Sequence, residues 1–292
     1  MNLSHYEGVF ALLLTPFLSD GRIDWSCYVQ YVDWQLSHQP HGLFAVCGSG
    51  EMHRLDFAER LALAKVAVQR AGSVPVVATA NIAGDRTRHA QEMAQMADTG
   101  VAGLVLVVPD GVGKEQQQLQ DYLAALAEQA PCPIILYEWP GVQPCHIPPD
   151  VYSALVADYG IRGIKDTTCT LEGIQAKVEA APESIIYQAN TPFLLDAFNL
   201  GARGTMAITS TAAADLSVRL WDAFTHKHGN APLHHQQLVM LDAILRFGYP
   251  ASAKYLARLR GMPFEPTCRT PSNLPKEGAK AISVWWEAIH GK

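Results

Sequence analysis

Three short stretches hold residue types suited to carbonyl chemistry: GIKDTT (163–168), YEWP (137–140) and CGSGE (47–51). Lys165 follows the apolar Ile161, Gly163 and Ile164, where a buried strand would end. A lysine deprived of water gives up its proton more easily and becomes a neutral amine. Such an amine can attack a ketone and form a Schiff base, an electron sink for the bond next to it. The plain alternative is a lysine ion-paired to Asp166 or Glu138. Tyr137 offers a phenol that could relay protons to a carbinolamine or a substrate hydroxyl, or could simply pack. In Cys47-Gly48-Ser49-Gly50-Glu51, exposed amides and the Ser49 hydroxyl could cradle a carboxylate, although Gly-Ser-Gly is also a common tight turn.

These residues need a frame that collects strand ends. Eight β-rich runs alternate with segments of helical periodicity: VFALLL (9–14), GLFAVC (42–47), PVVATA (75–80), GLVLVV (103–108), PIILYE (133–138), IRGIKD (161–166), SIIYQA (184–189) and RGTMAI (203–208). Between them, residues 56–72 place Leu61, Leu63, Ala64, Ala67 and Val68 at helical spacing and end on Gly72 as a C-cap. Residues 85–100 repeat the arrangement, with Asp85 as N-cap. Continuous apolar strands alternating with helices indicate a parallel sheet covered on both faces. Eight such units match a closed (β/α)8 TIM barrel better than an open sheet, and no strand is followed by G-x-G-x-x-G. From about residue 211 the periodicity is wholly helical. The expected organisation is a barrel over 1–225 with a C-terminal helical extension over 226–292. In such a barrel chemistry gathers at the C-terminal ends of strands, which is where Lys165, Tyr137 and the CGSGE turn fall.

Composition narrows the class. Apolar residues make up 49% and charged residues 17% of 292, so a large core with a sparsely charged surface is expected, one that buries further surface in an oligomer. A net charge of -6 without basic blocks leaves no footprint for nucleic acid or an anionic membrane. Six dispersed cysteines (Cys27, Cys47, Cys132, Cys145, Cys169, Cys268), with no C-x-x-C pair, read as buried thiols in a reducing compartment. The opening MNLSHYEGVFALLLTPF has too short an apolar run for a membrane span and no basic flank, so it reads as a first strand of a cytoplasmic protein. His226, His228, His234 and His235 lack metal-ligand spacing and are expected at the surface. No metal and no cofactor is expected.

GVFALLLTPF, CGSGE, the Y-x-x-P of YEWP and GIKDTT together resemble the N-acetylneuraminate lyase and dihydrodipicolinate synthase family, in order and spacing, over essentially the whole chain. The resemblance implies a (β/α)8 barrel with a C-terminal helical extension, usually a homotetramer, that condenses or cleaves 2-oxo acids through a lysine–pyruvate Schiff base. It makes Lys165 the Schiff-base lysine and Tyr137 the proton-relay tyrosine. Ser49 and the amides around Gly48 become the pyruvate carboxylate site.

The departures bear on substrate. Gly48 lacks the hydroxyl that links the tyrosine into a relay in many members. Asp110 and Gly111 stand where the synthases place a second tyrosine, and Val142 replaces the arginine that holds their substrate's second carboxylate. Thr167 matches sialate lyases, but Ala189-Asn190-Thr191-Pro192 replaces their sugar-binding run. Glu138 replaces the usual asparagine, and a carboxylate that close would raise the pKa of Lys165 unless geometry separates them. Asp110, Glu138 and Asn190 are candidates to replace the missing groups, and Ile208, closing the eighth strand, joins the substrate-binding set. The expected function is a pyruvate- or 2-oxo-acid-dependent aldolase, lyase or dehydratase, acting for example on a keto-deoxy sugar acid, and neither dihydrodipicolinate synthase nor sialate lyase proper. The alternative is a family member that binds a 2-oxo acid without turnover, or has a structural role.

Overall fold

In the computed structural model, which describes residues 3–290, every one of the eight apolar runs supplies a strand. They are β1 (Gly8–Leu12), β2 (Gly42–Ala45), β3 (Val76–Thr79), β4 (Gly103–Val107), β5 (Ile134–Tyr137), β6 (Gly163–Asp166), β7 (Ile185–Gln188) and β8 (Gly204–Thr205). All pair in parallel, in sequence order, and β8 closes on β1. All are buried along their whole length, which is why they read as apolar runs without polar alternation.

Eight helices cover the barrel: α1 (Trp25–Ser37), α2 (Phe57–Ala71), α3 (His89–Ala97), α4 (Gln116–Ala127), α5 (Pro149–Tyr159), α6 (Leu171–Ala180), α7 (Leu194–Asn199) and α8 (Ser210–Thr225). A reciprocal cap opens α2, with Asp56 accepting from the Glu59 amide and Glu59 accepting from the Asp56 amide. Asp85 caps a short 3-10 turn over Arg86–Arg88, and α3 proper starts three residues later than that cap implies. All eight strands are shorter than their six-residue apolar runs, and at β2 and β8 the cause is plain. β2 stops at Ala45 because Val46 takes a φ of 50°, which turns the chain into the CGSGE loop. β8 stops at Thr205 because the carbonyls of Ala207 and Ile208 turn to receive the Ser210 and Thr211 hydroxyls at the start of α8.

Three more helices follow: α9 (Ala231–Leu245), α10 (Ala251–Leu259) and α11 (Lys276–His290). They are tied to the barrel through the loop after β2. Lys254 of α10, buried, lies 2.7 Å from a Glu51 carboxylate oxygen, and the other Glu51 oxygen accepts from the Thr270 amide at 2.6 Å. Arg269 forks onto Glu59 with two bonds of 2.6 Å. Glu51 itself sits in the left-handed region at φ 61°, a strained conformation these contacts hold in place. No helix among the described residues is long and apolar enough to cross a membrane.

Candidate active site

Register decides which residues share the barrel mouth. Tyr137 pairs with Lys165 across β5 and β6, so both side chains point to the same face. That face is the interior. Lys165 Nζ lies 4.3 Å from the Tyr137 ring centroid and 5.4 Å from that of Phe44 on β2. It makes no ion pair or hydrogen bond with any described residue. Burial lowers its pKa to about 8, opposed by the nearby Cys47 thiol. Burial likewise raises the pKa of Tyr137, with Cys47 and Cys145 adding to it, so the phenol keeps its proton.

The next residue on each strand faces the other way. Glu138 and Asp166 point out of the barrel toward α6, where Lys177 reaches both at 2.6 Å. Glu138 also accepts from the Ile147 amide at 2.8 Å and the Thr167 amide at 3.0 Å. Burial raises its pKa against the pull of the Lys177 ammonium. For Lys177 burial works downward, and the two carboxylates outweigh it. This bears on two expectations. Glu138, expected in the substrate-binding set, is fully buried with both oxygens engaged on the outer face, so neither is turned to the barrel mouth. Nor does it raise the Lys165 pKa, because the strand backbone separates them. Lys177 carried no weight in the sequence reading, since nothing local marks a helix lysine as buried.

The CGSGE turn forms a short 3-10 helix over Gly48–Gly50 beside Tyr137. Its shape requires glycine at 50, where a Cβ would lie 2.7 Å from the Leu13 carbonyl oxygen. A Cβ on Gly48 would stand 3.3 Å from Tyr137 Oη and 3.2 Å from Trp139 Nε1. Ser49 is buried next to them. Cys47, read from sequence only as a buried thiol, lies in the same layer. Burial raises its pKa, while Lys165 and then the amides of Gly50 and Ser49 pull it down.

The other expected residues are spread around the rim. The Thr167 hydroxyl donates to the Glu138 carbonyl at 2.6 Å. Asn190 follows β7, its amide N–H bonded to Gln188 and its side-chain nitrogen buried without a partner. Ile208 is half-buried after β8. Asp110 is exposed in the wall of a cavity of about 710 Å³ that also includes His53, Arg86, Trp139, Val142 and Gln143. Arg86 and Trp139 carried no role in the sequence reading. Of the histidines expected at the surface, His226 is exposed, while His235 is half-buried and bonds the Thr191 carbonyl at 3.0 Å. Among the described residues no group of three or more His, Cys, Asp or Glu side chains could hold a metal ion.

Comparison with known proteins supplies the family and supports the fold. The model of the dihydrodipicolinate synthetase family matches residues 5–283. The 4-hydroxy-tetrahydrodipicolinate synthase of Rhizobium meliloti is 30% identical over 286 residues, covering 96% of this chain and 96% of the relative. That of Methanopyrus kandleri is 29% identical over 285 residues, covering 94% and 93%. Among solved structures, YagE of E. coli K12, described as a prophage protein in complex with pyruvate, superposes with a TM-score of 0.90 at 21% identity over 98% of this chain and 99% of its own. A monomeric dihydrodipicolinate synthase variant gives 0.91 at 20% identity over 99% and 98%. At those identities the structural likeness speaks for the fold, and the sequence matches for descent. A family match across nearly the whole chain joins a barrel with a buried lysine near the end of its sixth strand that has no ion pair among the described residues: the chain belongs to the dihydrodipicolinate synthetase family, whose members are class I aldolases and lyases.

Proposed function

We propose that the protein is a 2-oxo acid aldolase or lyase, with pyruvate as the minimal substrate, working through an imine on Lys165. The observation that carries this reading is the Lys165 amine, buried between two aromatic rings without a carboxylate and with a pKa near 8. The neutral amine adds to C2 of the 2-oxo acid, and the former carbonyl oxygen leaves as water after taking up two protons. The protonated imine then accepts the electron pair of the adjacent C–C or C–H bond as an enamine. Tyr137, protonated and beside Lys165, supplies and takes back protons at the substrate. The Ser49 hydroxyl and the Gly48 and Ser49 amides hold the carboxylate. Thr167, Ile208, Asn190 and Asp110 line the path of the remaining substrate.

The curated relatives are named for 4-hydroxy-tetrahydrodipicolinate synthesis. In this chain Val142 and the Asp110-Gly111 pair favour a different second substrate, because neither supplies a cation or a phenol to a second carboxylate. Gly48, which removes a relay hydroxyl, favours a second reading in which the 2-oxo acid is bound but not turned over. A homotetramer belongs to the proposal as well. Leu233, Met240 and Val284 stay exposed along α9 and α11, a face that another copy would cover.

Incubation with pyruvate and borohydride, followed by mass spectrometry, is expected to place a reduced adduct on Lys165 that disappears in Lys165→Ala. An unmodified Lys165 in the native protein would overturn the imine reading. An adduct without cleavage of any 4-hydroxy-2-oxo acid in a panel would favour the binding-only one.

A further inference from the structure

The volume that a side chain at residue 48 would fill is bordered by an indole. Trp139 directly follows the outward-facing Glu138, and its amide bonds back to the Tyr137 carbonyl at 3.0 Å, a tight turn that swings the ring over the mouth. The ring is clamped. His53 stacks on one side at 3.9 Å between centroids and 21° between planes, and Gly141 packs so close that a Cβ there would lie 2.1 Å from the ring. Only glycine fits at 141 while this ring position is kept. At residue 48 a Cβ would meet Trp139 Nε1 at 3.2 Å, tighter than ordinary contact. Gly48 and Trp139 are therefore complementary, and the lost hydroxyl at 48 has left room for a different polar group.

That group is a donor without an acceptor. Trp139 Nε1–H donates to no described residue, yet it borders the same small volume as Tyr137 Oη. An indole N–H can donate a hydrogen bond but cannot accept one, so it cannot pass a proton onward as a hydroxyl does. Trp139 also forms part of the wall of the cavity of about 710 Å³. Trp139 thus borders both the room beside Tyr137 and that cavity.

We propose that Trp139 is a specificity-determining residue whose indole N–H binds the oxygen on C4 of a 4-hydroxy-2-oxo acid, beside Tyr137, in place of a side-chain hydroxyl at residue 48. This assignment rests on the Lys165 imine reading and deepens it. The donor favours substrates with an oxygen two carbons beyond the imine carbon, and it steadies that oxygen while Tyr137 takes or returns its proton. The indole itself transfers none. His53 and Gly141 act as positioning residues for the ring.

The test compares pyruvate with 4-hydroxy-2-oxopentanoate in the native protein and in Trp139→Phe, which retains an aromatic ring for the His53 stack and removes the N–H. Borohydride trapping gives the half-saturating concentration of each probe. Trp139→Phe is expected to raise that of the hydroxylated probe about 10-fold relative to pyruvate, the worth of one hydrogen bond. Where the native protein cleaves the probe, release of pyruvate is expected to fall on the order of 10²-fold, as for a donor facing developing charge. Equal weakening of both probes, or of neither, would reduce Trp139 to packing. A second readout does not depend on the imine: the Trp139 indole ¹H–¹⁵N resonance, assigned by its loss in Trp139→Phe, should move downfield with 4-hydroxy-2-oxopentanoate and less with pyruvate. No adduct with either probe but a selective indole shift would sink the imine reading and keep Trp139 as the donor. A resonance equally indifferent to both probes would overturn the Trp139 assignment, whatever the trapping shows.

Discussion

Two buried lysines, on opposite sides of one strand, have opposite electrostatics. Lys165 points into the barrel, lies against aromatic rings and has no carboxylate partner among the described residues; Lys177, on α6 behind the same strand, holds two carboxylates at 2.6 Å. The strand period of two makes the difference: Tyr137 and Lys165 face in, so Glu138 and Asp166 face out. Lys177 answers the outer charges and leaves the interior without a counter-ion for Lys165. Burial then wins inside and lowers the lysine's pKa, whereas outside the carboxylates win and raise it. An acid next to a lysine in sequence is no measure of its acidity when a β-strand lies between them.

The largest effect should come from breaking the outer side. Lys177→Met leaves Glu138 and Asp166 buried without a cation, which is expected to cost about 3–5 kcal/mol, read as a lower urea midpoint at unchanged slope. It should also disturb the loops that Glu138 holds at Ile147 and Thr167. The mirror substitution inside should have the opposite sign. Lys165→Met removes an amine whose charged form is disfavoured by burial, and at pH 7 it is expected to stabilise the fold by up to about 3 kcal/mol, given about 1.4 kcal/mol per pKa unit. If Lys165→Met destabilised as Lys177→Met does, the contrast between the two sides would be wrong.

The smallest effect is a pH dependence, and it sharpens the same contrast. With a folded pKa near 8, the rate of imine trapping should climb through about pH 8 and level off above it. For stability, the unfolded lysine titrates near pH 10.4, so between about 8 and 10.4 the unfolded chain binds more protons than the folded one. Lys165 therefore contributes a stability that rises with pH across that window and is flat below it. Lys165→Met lacks this contribution, so it should appear as the pH-dependent difference between the two proteins' unfolding free energies. An identical pH slope in both proteins would place the Lys165 pKa at its ordinary value.

Much of the frame was legible because burial on both faces writes itself as uninterrupted apolar runs, as in GLVLVV and PIILY. Strand ends were less so. The apolar signal of GLFAVC and RGTMAI continues past β2 and β8, since residues in a buried turn are as apolar as those in a buried strand. In the site, Lys165 stood out as a charge at the end of an apolar run, and Tyr137 through the order of strands. Glu138 misled, because its neighbour in sequence is on the opposite face. Trp139 escaped notice because an aromatic residue after a strand commonly packs; its stack on His53 and its approach to Gly48 join residues more than 80 positions apart.

The sequence by itself determined the eight-fold alternation and the place of Lys165 near a strand end, which follow from local hydropathy, and its resemblance to imine-forming lysines, which rests on GIKDTT together with CGSGE and YEWP. Only the tertiary structure decided what Lys165 is paired with: no charged group among the described residues, because Glu138 and Asp166 face Lys177 on the far side. It also decided what stands in the room left at Gly48, where the Trp139 indole comes up. Both are matters of which face of a strand or ring meets which partner, and such contacts form only when strands distant in sequence close into one barrel.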